Sequence, residues 1–345
     1  MPIKELWIHA GLPKCGSSAL QVFFASNKKK LESISIDYPE LEDLSEAKGG
    51  GITSGNGAQI ARSMLSPTHE AFYPDPASLF DRLISHIRQT KSDKVLISSE
   101  FFAVVPVKRI VEFKSKLTSE GFHLRYCYYV RRQDQFLISN YLQRVKRHGY
   151  SGYPDEFVRH LYKNVFFLKY YGYANHYVKT LGKDSVLPRV YEVTKRERGG
   201  IAGDFVKQLT GEIPEWIEPP KSINTSPSPQ ELKILLASNK YHPRMKFSDF
   251  IIENSALQGR SKEYSNHQIL PYDVVQEVML YFSEQNQKFF EEFSHLEKFE
   301  LVTEGEFLDL RNISFGPEEI ADIFAGLLVR FDKRIAQLEK KKESS

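Results

Sequence analysis

The sequence predicts an α/β fold: a central parallel sheet flanked by helices, with a helical extension at the C-terminus. Three observations support this. Short apolar runs of strand length lie at 6–10, 94–102, 124–130 and 185–191, separated by stretches of helical periodicity, which implies parallel pairing through crossover helices. The first run turns through small residues directly into a helix. Charged residues Lys14, Glu100 and Arg131 stand just past the carboxyl ends of the first three runs, the edge where such sheets bind ligands.

Composition narrows the class. A chain of 345 residues suits one large or two ordinary domains. Hydrophobic residues make up 41%, enough for a sizeable core, and no apolar run is long enough to span a bilayer. The net charge of +3 is too small to mark a nucleic-acid binder. Cys15 and Cys127 form no disulfide framework, and no signal segment precedes the first strand. A cytoplasmic setting is therefore expected.

The first element is the most informative. From Leu6 the chain reads Leu-Trp-Ile-His-Ala-Gly-Leu-Pro-Lys-Cys-Gly-Ser-Ser-Ala-Leu-Gln to Gln21. Leu20, Phe23, Phe24 and Leu31 then fall on one helical face. Strand, small-residue loop and helix together build an anion site: first-turn N–H groups point outward and the helix dipole adds positive charge. Ser17 and Ser18 can cap the helix or donate to an oxygen anion, and Lys14 adds a full charge. The loop is P-loop-like but not a Walker A loop, because Lys14 precedes Gly16 instead of following it.

Beyond this helix, Lys28-Lys29-Lys30 reads as a solvated face. Residues 46–57 contain five glycines and read as irregular, either a mobile surface loop or a flap over the site. Leu79, Leu83 and Ile87 mark an amphipathic helix. The second strand, 94–102, carries Glu100 near its end, and the third, 124–130, runs into Arg131-Arg132. Pro188 marks the fourth, 185–191, as an edge or short strand. Arg144, Lys146, Arg147 and His148 either complement a helix C-terminus or form a rim for an acidic glycan, with Tyr150, Tyr153 and Tyr162 beside them as sugar platforms. Residues 211–229 are rich in Pro and Ser and read as a loop crossing. From Pro271 to Phe293 the pattern is helical, with Val275, Val278, Phe282, Phe289 and Phe290 in the core.

The last segment begins a helix at Gly316-Pro317-Glu318-Glu319. Ile320, Ile323, Phe324, Leu327, Leu328, Phe331 and Ile335 form a wide apolar stripe, which either packs on its own domain or makes a homodimer contact. The tail 340–345 is expected to be disordered. The division expected is a domain over 1–300 and a helical extension with a basic tail over 301–345.

Two motifs resemble those of sulfotransferases that use 3′-phosphoadenylyl sulfate (PAPS). The order G-x-P-K-x-G-[ST]-[ST] within 10–21 is similar to their 5′-phosphosulfate loop. Arg131 at a strand exit, with Ser139 eight residues later inside 129–141, is similar to their 3′-phosphate motif. An Arg fork and a hydroxyl suit phosphate oxygens. Ser98-Ser99-Glu100, Arg189-Val190-Tyr191-Glu192 and the stretch around Asn286 look like further landmarks. Cys15 departs from the pattern, standing where many relatives carry Thr, and Lys195 to Gly200 only partly echoes the R-K-G-x-x-G-D stretch.

The resemblance, to the bacterial type that modifies carbohydrates or lipid-linked sugars, implies a P-loop-like three-layer fold. It implies transfer of a sulfuryl group from PAPS to a hydroxyl of a carbohydrate or glycolipid, releasing adenosine 3′,5′-bisphosphate. By the same resemblance Pro13, Lys14, Cys15, Gly16, Ser17, Ser18, Arg131 and Ser139 bind the donor, and Lys14 and Glu100 are catalytic. His9, His69 and His148 stay open as alternative bases. No metal is expected, since neither His nor Cys shows ligand spacing. A small-molecule kinase would need an acidic Walker B strand end, which is not found; a non-catalytic nucleotide- or glycan-binding module would keep the same loop.

Overall fold

The computed structural model describes residues 4–51, 53–74, 76–218, 227–241 and 269–343. Among these residues five strands are formed: β1 (Lys4–Ala10), β2 (Ile36–Asp37), β3 (Lys94–Ser99), β4 (Phe122–Val130) and β5 (Val186–Val190). All pair in parallel, in the order β2-β3-β1-β4-β5, in one sheet flanked by helices. Residues Leu6 to Ala10 of β1 are buried without a break, as expected for the middle strand of a parallel sheet covered on both faces.

The order places β3 and β4 on opposite sides of β1, so the chain reverses direction across the sheet between them. A crevice opens at such a switch point beyond the carboxyl ends. Register aligns those ends: Ala10 pairs with Ser99, and Val130 with Val190. The expected α/β sheet is present. β2 was not anticipated, because two residues are too few to show a period. β5 occupies an edge, where Pro188 is tolerated. β3 ends at Ser99, earlier than expected, and Glu100 opens a short 3-10 turn to Val104.

The chain groups into two units. The first comprises residues 1–132, 166–223 and 282–300. Its core includes Leu20 and Phe24 of the helix Ser17–Ser26, Leu83 and Ile87 of Pro76–Gln89, and Ile110 and Leu117 of Val107–Ser119. Tyrosines pack among them: Tyr126 stacks on Tyr177 at 4.3 Å, and its hydroxyl lies 3.1 Å from that of Tyr173. Along the helix Tyr272–Glu292, Phe282, Phe289 and Phe290 of this unit are buried, as are Val275 and Val278, which belong to the second; all five were expected in the core.

The glycine-rich stretch, expected to be irregular, is partly ordered by local structure and by bonds to a strand. Ser45–Lys48 forms a helical turn, and residues 53–57 pack against β3. Asn56 is fully buried; it accepts from Ser98 N at 2.8 Å and donates to the carbonyls of Leu96 and Pro39 at 3.1 and 3.0 Å. Side-chain bonds to strand backbone, invisible to composition, hold it there.

The second unit comprises residues 133–165, 224–281 and 301–345. Asn239 Nδ2 donates to the carbonyls of Val145 and Tyr150, both at 2.9 Å. Arg311 pairs with Asp155 at 2.9 Å and Glu156 at 3.2 Å, and lies over the Tyr153 ring. The three tyrosines expected as sugar platforms are engaged internally here: Tyr150 packs on Tyr141 and Phe157, and the buried Tyr162 donates to Glu277. The final helix runs Pro317–Glu343, so the expected disordered tail is helical as far as 343. Along its apolar stripe Ile323 is buried, whereas Phe324 and Leu328 are more than half exposed. Of the Pro/Ser-rich stretch 211–229, residues 219–226 lie outside those described. Among the described residues no helix is long and apolar enough to cross a membrane.

Candidate functional site

The site grows from the exits of three adjacent strands in the first unit. After β1, Gly11 N donates to Ser99 O at 3.0 Å, which fastens the loop to the end of β3. Pro13 is exposed at the loop's crest and Lys14 is half-buried. Lys14 adopts φ +63°, a left-handed backbone that L side chains rarely take. Cys15 is buried, and desolvation pushes its thiol up to about 12; toward solvent it offers backbone only.

Gly16 then takes φ 78° as the residue before the helix Ser17–Ser26. A side chain there would be strained, and its Cβ would lie 2.8 Å from Ile201 Cδ1 and 3.0 Å from Tyr191 Cε2. No side chain caps this helix, so its first-turn N–H groups keep their capacity for an anion. Ser17 Oγ turns back to donate to the Leu12 carbonyl at 3.3 Å.

Arg131 leaves β4 beside this loop. Its NH1 donates to the Lys14 carbonyl at 2.9 Å, and its guanidinium lies 5.1 Å from the Tyr191 ring centroid. The Tyr170 hydroxyl donates to the Arg131 carbonyl and accepts from its N–H. Arg131 Nε and Glu192 Oε2 are buried and have no hydrogen-bond partner. Arg132 is differently engaged: its N–H bonds Glu192 Oε1 at 3.1 Å and its NH1 bonds the Glu300 carbonyl. Tertiary contacts thus distinguish two neighbouring arginines that sequence ranked by spacing alone.

Glu100 follows β3 at the same edge. Its residue surface is exposed, yet the protein around the carboxyl desolvates it enough to raise its pKa. The alternative base His9 is buried on β1, 2.8 Å from Ser98 Oγ, and burial lowers it to about 3. At neutral pH it is a very weak base shut away from solvent. His69 accepts from Ala71 N at 3.1 Å. His148 and Ser139 lie on the helix Gln133–His148 in the second unit, Ser139 half-buried.

Two site residues had no assigned role in the sequence reading. Glu192, beyond β5, has its pKa raised by burial; Lys195, one turn later, has its pKa lowered by burial and by nearby Arg131. The signal was their position just past a fourth strand end. Arg189, grouped with them as a landmark, is structural: it pairs with the fully buried Asp204 at 2.6 Å, which also accepts from the Tyr129 hydroxyl. Among the described residues no group of three or more His, Cys, Asp or Glu side chains is placed to hold a metal ion.

Neither a known protein-family pattern nor a curated protein matches the chain. Among solved structures, it is similar to a sulfotransferase from Alicyclobacillus acidocaldarius, at 13% identity and a TM-score of 0.40 over 75% of this chain and 97% of that one. It is also similar to mouse sulfotransferase SULT7A1 complexed with PAP, at 15% identity and a TM-score of 0.32 over 85% of this chain and 83% of that one.

Proposed function

We propose that the chain is a sulfotransferase that moves a sulfuryl group from PAPS to a hydroxyl, releasing adenosine 3′,5′-bisphosphate. One observation supports this above the others: two anion-binding features sit side by side on adjacent strand exits. The first is the uncapped helix start with Lys14; the second is Arg131, bonded to the Lys14 carbonyl at 2.9 Å, its buried Nε lacking a hydrogen bond and lying 4.0 Å from Glu192 Oε1. A donor with separate 5′ and 3′ phosphate groups matches that pair. The backbone from Cys15 to Ser18 would hold the 5′-phosphate and Arg131 the 3′-phosphate. Ser139 joins Arg131 in this proposal on the strength of the motif spacing alone. The acceptor class, a carbohydrate or glycolipid, comes from the sequence resemblance.

In this mechanism Glu100 takes the acceptor's proton as the acceptor oxygen bonds to sulfur and the bond from sulfur to the bridging phosphate oxygen breaks. Lys14 offsets the charge that develops on that departing oxygen, so its contribution is largest in the transition state. A raised carboxyl pKa brings Glu100 closer to neutrality, which suits a general base.

The test is twofold. Calorimetric titration should show adenosine 3′,5′-bisphosphate binding at least tenfold more tightly than ATP; tighter ATP binding would favour a kinase. Transfer of labelled sulfuryl from PAPS to a panel of sugar acceptors should then be detectable. Tight binding of the bisphosphate without transfer to any acceptor would mark a non-catalytic binding module.

A further inference from the structure

The exit of β5 holds a carboxylate to which the proposed chemistry gives no role. Glu192 stands just past Val190, in the short helical turn Tyr191–Thr194. Its Oε1 accepts the Arg132 N–H at 3.1 Å and lies 4.0 Å from Arg131 Nε. Its Oε2 is shielded from solvent and, like Arg131 Nε, has no hydrogen-bond partner. Buried ions are ordinarily paired through hydrogen bonds. Here cation and anion face each other across a gap too wide for one. Each balances the other's charge, and neither saturates the other's hydrogen bonding.

The remaining contacts of Arg131 fix its far side. NH1 donates to the Lys14 carbonyl at 2.9 Å, and the Tyr170 hydroxyl holds the Arg131 backbone. Glu192 therefore attracts the guanidinium toward the strand exit while leaving its Nε donor unused. A phosphate dianion at that donor would change the balance. One cation would then serve two anions in a water-poor place, where neighbouring like charges cannot both stay ionised. The carboxylate is the easier of the two to neutralise, since burial already raises its pKa. Its neutral form still accepts the Arg132 N–H through Oε1.

Few other groups facing Glu192 can take a proton. Arg131 and the Arg132 N–H come from the exit of β4, Cys15 from the first loop, Tyr170 from the helix Tyr170–Leu181, and Tyr191 and Lys195 from its own turn. Burial pushes the Cys15 thiol up to about 12 and raises the Tyr170 and Tyr191 hydroxyls, so all three already carry their protons at neutral pH. Arginine does too. Lys195, its pKa lowered by burial and by Arg131, is the one competitor.

Building on the assignment of Arg131 to a 3′-phosphate, we propose that Glu192 is the positioning counter-ion of Arg131 and takes a proton from solvent when that phosphate arrives. One O–H bond forms on the carboxyl group, nothing is oxidised or reduced, and Glu192 touches no reacting atom.

Calorimetric titration of the full chain in buffers of different ionisation enthalpy counts the protons. At about pH 7.5 both phosphates of adenosine 3′,5′-bisphosphate are already almost fully ionised, so uptake belongs to the protein. Wild type should take up as much as about one proton per site with the bisphosphate and none with adenosine 5′-monophosphate. Glu192→Gln keeps the shape and an acceptor for the Arg132 N–H. It should bind the bisphosphate without uptake and more tightly than wild type, an advantage growing by up to about tenfold per pH unit. Its affinity for adenosine 5′-monophosphate should not change. A merely structural Glu192 would move both affinities together and leave the proton count as it was. Lys195→Met should keep the uptake, a check that stands without the Glu192 variant. Preference for the bisphosphate with no proton uptake would overturn this proposal and leave Arg131 in place. No preference over adenosine 5′-monophosphate would remove the 3′-phosphate assignment, and this proposal with it. Uptake that survives in Glu192→Gln and vanishes in Lys195→Met would put the proton on Lys195 and overturn the role of Glu192.

Discussion

Lys14 combines a cation with a strained backbone. At φ +63° it bears a cost of roughly 1–2 kcal/mol that a glycine would not, and strain of this kind collects where function needs a particular geometry. Stability and activity should therefore separate at this residue. Lys14→Gly should melt no lower than wild type in thermal denaturation, yet transfer should fall by several orders of magnitude, as in Lys14→Ala. Retained transfer in either variant would remove Lys14 from the mechanism. Arg131→Ala should weaken adenosine 3′,5′-bisphosphate by about ten- to a hundred-fold, the worth of one charged hydrogen-bond pair, with little effect on adenosine 5′-monophosphate. Arg132→Ala, whose guanidinium bonds the Glu300 carbonyl instead, should not discriminate between the two ligands. Titration calorimetry reads both. Glu100 works as a base only when ionised, and desolvation raises its pKa. The acid limb of the kcat–pH profile should accordingly lie above the ordinary carboxylate range, with activity rising as pH passes through it. Glu100→Gln should abolish that limb and reduce kcat by about 10²–10⁴-fold. His9→Gln should leave the limb in place.

At the scale of elements, the segment 53–57 supports β3, whose exit presents Glu100. Gly55 takes φ +85°, and a Cβ there would fall 2.1 Å from the Ser98 carbonyl oxygen. Gly55→Ala must push the segment off the strand or distort the strand end. Asn56→Ala deletes three buried hydrogen bonds and strands the Ser98 N–H, at a cost of about 1–3 kcal/mol for the orphaned group alone. Both variants should melt several degrees lower than wild type. In both, donor affinity should fall less than kcat, because Lys14 and Arg131 leave other strands. An unchanged Tm in Asn56→Ala would mean the segment does not brace β3. The sequence showed five glycines and hence an irregular segment; the bonds that seat it on β3 join residues 40 and 42 positions apart, and no local pattern reports those.

For the whole molecule, a ligand that binds only the folded chain should stabilise it by mass action. Adenosine 3′,5′-bisphosphate at a hundred times its Kd would contribute about 2.7 kcal/mol, seen as a higher Tm in a dye-based melt. Lys14→Ala and Arg131→Ala should each lose most of that shift, and a wild type without one would contradict the proposed site. Local sequence determined a good deal of this architecture. Strand-length apolar runs, the Gly/Pro/Lys/Gly turn and the helical stripes are short-range signals, because strand and helix periods and turn chemistry act over a few residues. They yielded the parallel α/β sheet, the loop at Lys14 and the positions of Glu100 and Arg131 just beyond strand ends. Only tertiary structure decided which groups those residues meet. The two-residue β2 exists because β3 offers it an edge. Arg131 differs from Arg132 because β4 lies beside β1, which brings the Lys14 carbonyl within reach of the Arg131 guanidinium, while that of Arg132 bonds the Glu300 carbonyl. His9 is buried among Phe24, Tyr129 and Phe205, rings from three different elements. The final helix shows the same limit from the other side: its periodicity was legible, but which of its apolar residues are covered depends on surfaces brought together from far along the chain, and Ile323 is buried while Phe324 and Leu328 are more than half exposed.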